Sequence, residues 1–181
     1  ELAEFLRQRL VSLLEEEGFP VDVVQSVAGE GLALERILAD PADARRRADL
    51  LQELRQRGEL AAVQAVVQRA SRLAEKGDLS ADIRSAAGVV DAALFEKASE
   101  TAMLSVLDRL APIASGADPQ RYLQLARGLA ESADVLAAFF DGADSVLVMA
   151  DDPAVRRNRL NLLAVLRNQA SLLADFNRLV G

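Results

Sequence analysis

The sequence predicts an all-α fold, a bundle of about eight to nine helices. Ala, Leu, Arg and Glu dominate a chain of 181 residues with only 4% aromatics, and such side chains lose little rotamer freedom in a helix. Apolar residues recur every three or four positions, and glycine and proline fall where such segments would start and stop. With 51% apolar residues the chain can bury a sizeable core.

Leu2, Phe5, Leu6, Leu10, Leu13 and Leu14 repeat at helical spacing over residues 2–17, and Gly18 is a good C-terminal breaker. Pro20 opens a short helix through Val27, and Gly29 and Gly31 bracket a turn before the apolar segment LALERILA. Asp40-Pro41 reads as an N-cap with proline in the first helical position, and Gly58 closes the long helix it starts. ELAAVQAVVQRASRLAEKG makes the next helix, closed at Gly77. From Asp78 to Leu94, where Gly88 interrupts, the pattern predicts short helical turns joining two helical halves, 1–90 and 91–181, packed as one unit. A helix is predicted from Ser99 to Leu110, ending before Pro112, and another from Gln120 to Phe140. DGADSVLVMA interrupts the pattern, and its Val146, Leu147, Val148 and Met149 are apolar enough to plug the end of a bundle, with a short strand or a docking loop as alternatives. Asp152-Pro153 starts the last helix, placed on a wheel from 153 to 179.

Cysteine and histidine are both absent, which removes thiolate and zinc sites and Ser-His or Cys-His chemistry, leaving carboxylates, Lys, Tyr and Ser/Thr as possible catalytic groups. No apolar run approaches the roughly 18 residues of a membrane span and no signal peptide shape is present, so a soluble, cytoplasmic protein is expected. The first residue is Glu1, and the helical pattern begins at once, as in a piece of a longer polypeptide. The net charge of −7 argues against nucleic-acid binding through a whole-surface positive field. Two segments run against it: residues 41–57 and 151–181 each carry five arginines against three acids.

The stretch DDPAVRRNRLNLLAVL concentrates the question. Arg156, Arg157 and Arg159 crowd the positive end of a helix dipole, so something anionic should compensate: Asp151 and Asp152, another helix, or a phosphate backbone. On the wheel Val155, Leu162, Val165, Leu166, Leu173 and Phe176 share one arc with Arg159, which is expected to be anchored against the bundle by an acid. Arg156, Arg167 and Arg178 fall opposite, with Arg157 at the edge, facing solvent. Their plain reading is a solvated face with Asp152 pairing Arg156 at i,i+4. In ADARRRADLLQELRQRG, Arg47 shares an arc with Leu50, Leu51 and Leu54 and reads as structural, whereas Arg45 and Arg46 do not.

Other constellations are weak. Glu15, Glu16 and Glu17 splay around a helix, which favours a solvated last turn over a metal site. No phosphate-cradling glycine motif occurs. Tyr122, Phe139 and Phe140 could stack on bases, but their helical spacing favours core packing.

FFDGADSVLVMADDPAVRRNRLNLLAVLRNQASLLADFNRL closely resembles the C-terminal end of the β subunit of bacterial glycyl-tRNA synthetases. There a Phe-Phe-Asp leads through a Val-Met-Val run to an acidic helix start and an Asn-Arg-Leu-x-Leu-Leu core. The same end is similar to the DALR anticodon-binding domain, whose signature here reads Asp-Pro-Ala-Val-Arg at Asp152 to Arg156. VDAALFEKASETAML resembles the family's Val-Asp-x-x-Leu-Phe segment with Ser99-Glu100 in place of its Ala-Glu pair, and FLRQRLVSLLEEEGFPVDVVQSVA resembles the helical region upstream. The chain departs from the family at Gln68-Arg69 and Arg72, where Lys-Arg and Asn are usual, and in a longer loop at Gly142 to Ser145.

The resemblance implies that residues 91–181 form a DALR-like anticodon-binding bundle. It implies a tRNA-binding module without chemistry of its own, the ATP and Mg of the reaction being used elsewhere. Its implied partners are the glycine tRNA, the remainder of the β subunit and a catalytic α subunit. Arg156, Arg157 and Arg167, with Arg45 and Arg46 on the earlier helix, would neutralise RNA backbone charge, and an asparagine such as Asn158, or an aromatic nearby, would read a splayed base. A helical scaffold for docking between synthetase subunits or domains is the competing expectation.

Overall fold

The caps that the sequence supplies set the helix boundaries in the computed structural model, which describes residues 1–181. α1 (Leu2–Glu16) and α2 (Val21–Ala28) are separated by Gly18 at φ +94°, and α3 (Leu34–Ala39) precedes α4 (Pro41–Gln56). The Asp40 carboxylate accepts from the Ala42 N–H at 3.1 Å, capping α4, and Gly58 ends it at φ +74°. α5 (Leu60–Ala74), α6 (Ala98–Ser115), α7 (Arg121–Ala137) and α8 (Pro153–Ala170) follow, with short 3-10 turns at Ala92–Leu94 and Phe176–Arg178. There is no strand, and no helix is long and apolar enough to cross a membrane.

α8 is the axis of the molecule. It packs most extensively on α5 and also on α6, while α7 bridges α5, α6 and α4, and α1 to α3 lie outside α4. One apolar cluster of 39 buried residues runs through both halves, from Leu14 to Leu179. Gly128 allows α7 to close on α6: a Cβ there would stand 2.5 Å from Cδ2 of Leu110.

Four features differ from the expected elements. α6 continues through Pro112 to Ser115. Proline forfeits one hydrogen bond and crowds the preceding turn, but burial of Leu110 and Ala114 with Ile113 packed beside them holds the last turn. α8 stops at Ala170, so the wheel does not extend to 179; Asp175 and the residues after it leave the helix and cross α2 and α5. There the Asp175 N–H donates to the Ser26 carbonyl at 2.8 Å, and the amides of Gln64 and Gln68 donate to the Leu179 and Phe176 carbonyls, each at 2.8 Å. α8 is also buried nearly all round, 13 of its 18 residues lying inside, rather than along one face. The stripe on α1, finally, is only half used: Leu14 is buried, while Leu2, Phe5, Leu6 and Leu13 are exposed.

The segment from Asp78 to Leu94 is a strap over α8 with a single 3-10 turn at its end. Its backbone polar groups have no helix to pair in, and side chains of α8 supply the partners. Asn161 donates to the Val89 carbonyl at 2.7 Å, Asn168 to Ser80 and Ile83 at 2.9 and 2.8 Å, and Gln169 to Arg84 at 2.8 Å. The 141–150 loop alternates: Val146 and Val148 turn inward while Leu147 and Met149 are exposed.

Candidate nucleic-acid interface

α8 begins at Asp152, whose carboxylate accepts the Ala154 and Val155 N–H groups at 2.8 and 3.4 Å. That carboxylate is spent on the helix terminus, so it neutralises the dipole there and forms no ion pair with Arg156. Arg156, half-buried, instead donates to the Ala150 carbonyl at 2.9 Å and fastens the preceding loop. Arg159 lies inside, paired with Glu100 at 2.9 Å and Glu96 at 2.8 Å, and donates to the Leu147 carbonyl at 2.9 Å. Burial works to raise the Glu100 carboxyl. The Arg159 guanidinium and the backbone N–H groups of Glu96 and Lys97 outweigh it and hold the group below the usual glutamate range.

Arg157 is different. Its side chain is 72% exposed, and Asp78, itself 79% exposed, comes no nearer than 4.0 Å, a pair worth almost nothing in water. The exposed Arg72 and Lys76 lie at the end of α5, which Gly77 brings against Leu160, a Cβ at Gly77 being 3.3 Å from that of Leu160. Arg157 stands on the rim of an open groove of about 720 Å³ between the strap and α8, lined by Leu79, Val89, Val90, Leu94 and Asn161 among others. This groove combines apolar walls with a cation at its mouth.

The other candidates are distributed. Arg167 is half-buried, its Nε donating to Asn168 at 3.0 Å and its Nη2 lying 3.5 Å from the Leu79 carbonyl, so it borders the same strap as Arg157. Asn158 is buried, and both ends of its amide are taken by one residue: it donates to the Asp91 carbonyl at 2.9 Å and accepts the Asp91 N–H at 2.8 Å. It shapes the floor of the groove, and reading a base with that amide would require breaking the pair. Arg45 and Arg46 project from α4, at a separate place on the surface. Arg45 lies 3.4 Å from Glu17 at the end of α1, and Arg46 2.6 Å from Asp40. The structure thus joins Arg157 and Arg167 along the strap and leaves the α4 pair apart.

Sequence spacing missed the groove itself, because Val89, Val90 and Leu94 carry no helical period and acquire a wall only when α8 pins the strap. Of the aromatic candidates, Tyr122 and Phe139 are buried, and Phe140 is partly covered with the Arg69 guanidinium 4.7 Å over its ring.

No protein-family model matches the chain. Individual proteins do. The chain is 45% identical over 183 residues to the glycine–tRNA ligase beta subunit of Acaryochloris marina, which covers 99% of this chain and 26% of that protein. It is 45% identical over 182 residues to the beta subunit of a Picosynechococcus species and 41% identical over 184 residues to that of Trichodesmium erythraeum, with the same coverage. It therefore spans about a quarter of the length of these relatives. Along nearly its whole length, the chain is homologous to one region of glycine–tRNA ligase beta subunits.

Proposed function

We propose that this chain is the C-terminal, anticodon-region RNA-binding part of a glycyl-tRNA synthetase β subunit, acting in the cytoplasm, and that residues 91–181 form its DALR-like half. It makes no bond itself. Activation of glycine with ATP and Mg belongs to a catalytic α subunit working with the rest of the β chain. The observation that carries the reading is Arg157 standing free at the mouth of the strap groove. An unstacked base needs an apolar slot and its phosphate needs a cation, and single-stranded loops are recognised in this way. Arg167 borders the same strap, Arg156 on the first turn of α8 holds the preceding loop, and Arg45 and Arg46 offer a second, more distant contact to a long RNA.

The test is a titration of labelled glycine tRNA with the 181-residue chain, wild type and Arg157→Glu, at several salt concentrations. Wild type is expected to bind with an affinity that falls as salt rises, and Arg157→Glu to weaken it at least tenfold while lowering the salt slope by about one. Equal affinity of the two proteins, or no binding at low salt, overturns the assignment.

A second reading, a docking scaffold, is favoured by one observation. Leu2, Phe5, Leu6 and Leu13 leave an apolar face on α1 that no element of this chain covers, and Leu6, Leu10 and Leu13 continue across Ile37, Leu38 and Pro41 as a groove of about 350 Å³. The relatives are about four times as long as this chain, and the occupant we assign to the face is the remaining polypeptide of the same β subunit. Contiguous exposed apolar surface of this kind marks an interface.

A further inference from the structure

A cleft of about 620 Å³ opens away from α8's start, where α2 and α3 meet the strap, the end of α6 and the first turn of α7. Four arginines line it, Arg36, Arg47, Arg84 and Arg121, against Asp82 and Asp175. Asp175 is already paired with Arg178 at 3.0 Å.

Three of these guanidiniums converge on one acid and one phenol. Arg47 Nε reaches Asp43 Oδ2 at 2.8 Å, and Arg36 Nε reaches the same oxygen at 3.4 Å. Arg36 and Arg121 donate to the Tyr122 hydroxyl at 2.8 and 3.0 Å, and both lie over its ring, 5.6 and 4.9 Å from the centroid. The hydroxyl in turn donates to Asp43 Oδ1. Asp43 therefore pairs with two cations, and the third, Arg121, reaches it only through the Tyr122 hydroxyl, so positive charge is in excess in a half-buried setting where like charges repel. Burial and the Arg36 guanidinium together push Arg47 below the ordinary arginine value.

The second observation is independent of that crowding. Nε of Arg84 is buried and has no hydrogen-bond partner, although buried donors are almost always satisfied. Arg47 spends all three guanidinium nitrogens within the protein, on Asp43, Leu173 and Val27. Arg36 bonds through Nη2 and Nε, and Arg121 through Nη1 and Nη2. Arg36 Nη1 and Arg121 Nε are left, with Arg84, for a ligand.

We propose that this cleft binds a phosphate group, held by Arg36, Arg84 and Arg121 at the rim of the Asp43–Tyr122 pair. The guanidinium fork matches phosphate oxygens in geometry and charge. The cleft is far larger than the ion, so it has room for whatever carries the phosphate. The phosphoryl group could come from a free monoester or from the phosphodiester of an RNA. This site is separate from the Arg157 groove and does not depend on it.

The experiment follows the Nε–H resonances of arginine in the 181-residue chain as inorganic phosphate replaces chloride at constant ionic strength. A saturable shift of Arg84 Nε–H is expected. In Arg84→Gln and Arg84→Lys, each checked for unchanged melting, the Arg121 Nε–H response should need at least tenfold more phosphate, while Arg127→Gln on an exposed face of α7 should leave it unchanged. A uridylyl dinucleotide with only an internal phosphodiester then separates the sources. Competition at the same resonances assigns an RNA backbone phosphate, and its failure beside successful competition by uridine monophosphate assigns a free monoester. A linear response that chloride reproduces, or one indifferent to both Arg84 substitutions, overturns the proposal.

Discussion

Arg159 on α8 donates from Nε to Oε1 of Glu100 on α6 at 2.9 Å, with the two side chains 4% and 0% exposed. Glu100 also accepts the N–H groups of Glu96 and Lys97 at 2.8 and 3.0 Å, so a single carboxylate caps α6 and anchors α8. Removing one member strands a buried charge. Arg159→Met is therefore expected to destabilise the chain by about 3–5 kcal/mol, read from urea midpoints. Arg159→Met with Glu100→Leu should recover part of that loss, because no buried charge is then left unpaired and Glu96, 62% exposed, is solvated; a double variant no better than the single would contradict this account.

Acid should unfold the protein through its paired carboxylates. The Asp22 carboxyl is held below its ordinary range by its hydrogen bond from Arg55, 2.5 Å away, and Asp43 is held low because Tyr122, Arg47 and Arg36 outweigh its burial. Glu100 shares that direction. A carboxyl lowered in the native state stabilises above its unfolded value, near pH 4, and that stability is lost as pH falls through the lower native value. Urea midpoints are expected to be flat from pH 7 to about 5 and to fall below about 4. Asp22→Asn should flatten part of that fall, and an unchanged profile would remove Asp22 from the cause.

The clamp on the strap separates shape from charge in the proposed RNA binding. Asn158→Ala leaves the Asp91 backbone without its partner, a loss of about 1–3 kcal/mol, concentrated in the strap. Hydrogen exchange at residues 83–91 should accelerate while α5 and α7 stay protected. In the tRNA titration the same variant should lower affinity without changing the salt slope, the reverse of the slope change expected for Arg157→Glu. A slope change for Asn158→Ala would mean that the groove floor is not its role.

Leu6→Glu with Leu13→Glu tests the α1 face. Both side chains are about half exposed, so the stability of the 181-residue chain should move by no more than about 1 kcal/mol. In the full-length β subunit the same pair should lower the melting temperature, since it would place two charges against an apolar interface. No change there would leave the face uncovered by the rest of the subunit.

The residues themselves determined the helices and the side on which isolated charges fall. Asp40-Pro41, Asp152-Pro153, Gly18 and Gly58 act through bonds to neighbours two to four positions away, and such local chemistry can be read along the chain. Arg159 and Arg47 were legible for a similar reason, since each shares an arc with leucines and a buried cation must find an acid. Tertiary structure decided what local rules leave open. Pro112 stays helical because the packing of Leu110 and Ala114 outweighs its cost, and α8 ends at Ala170 because the chain leaves to cover α2 and α5. Asn158 could be placed on a helix but not given Asp91 as its partner, 67 residues away. Arg36, Arg84 and Arg121 have no shared period at all. Their convergence, and the bareness of Arg157, follow from which surfaces the packed helices bring together and which they leave in water.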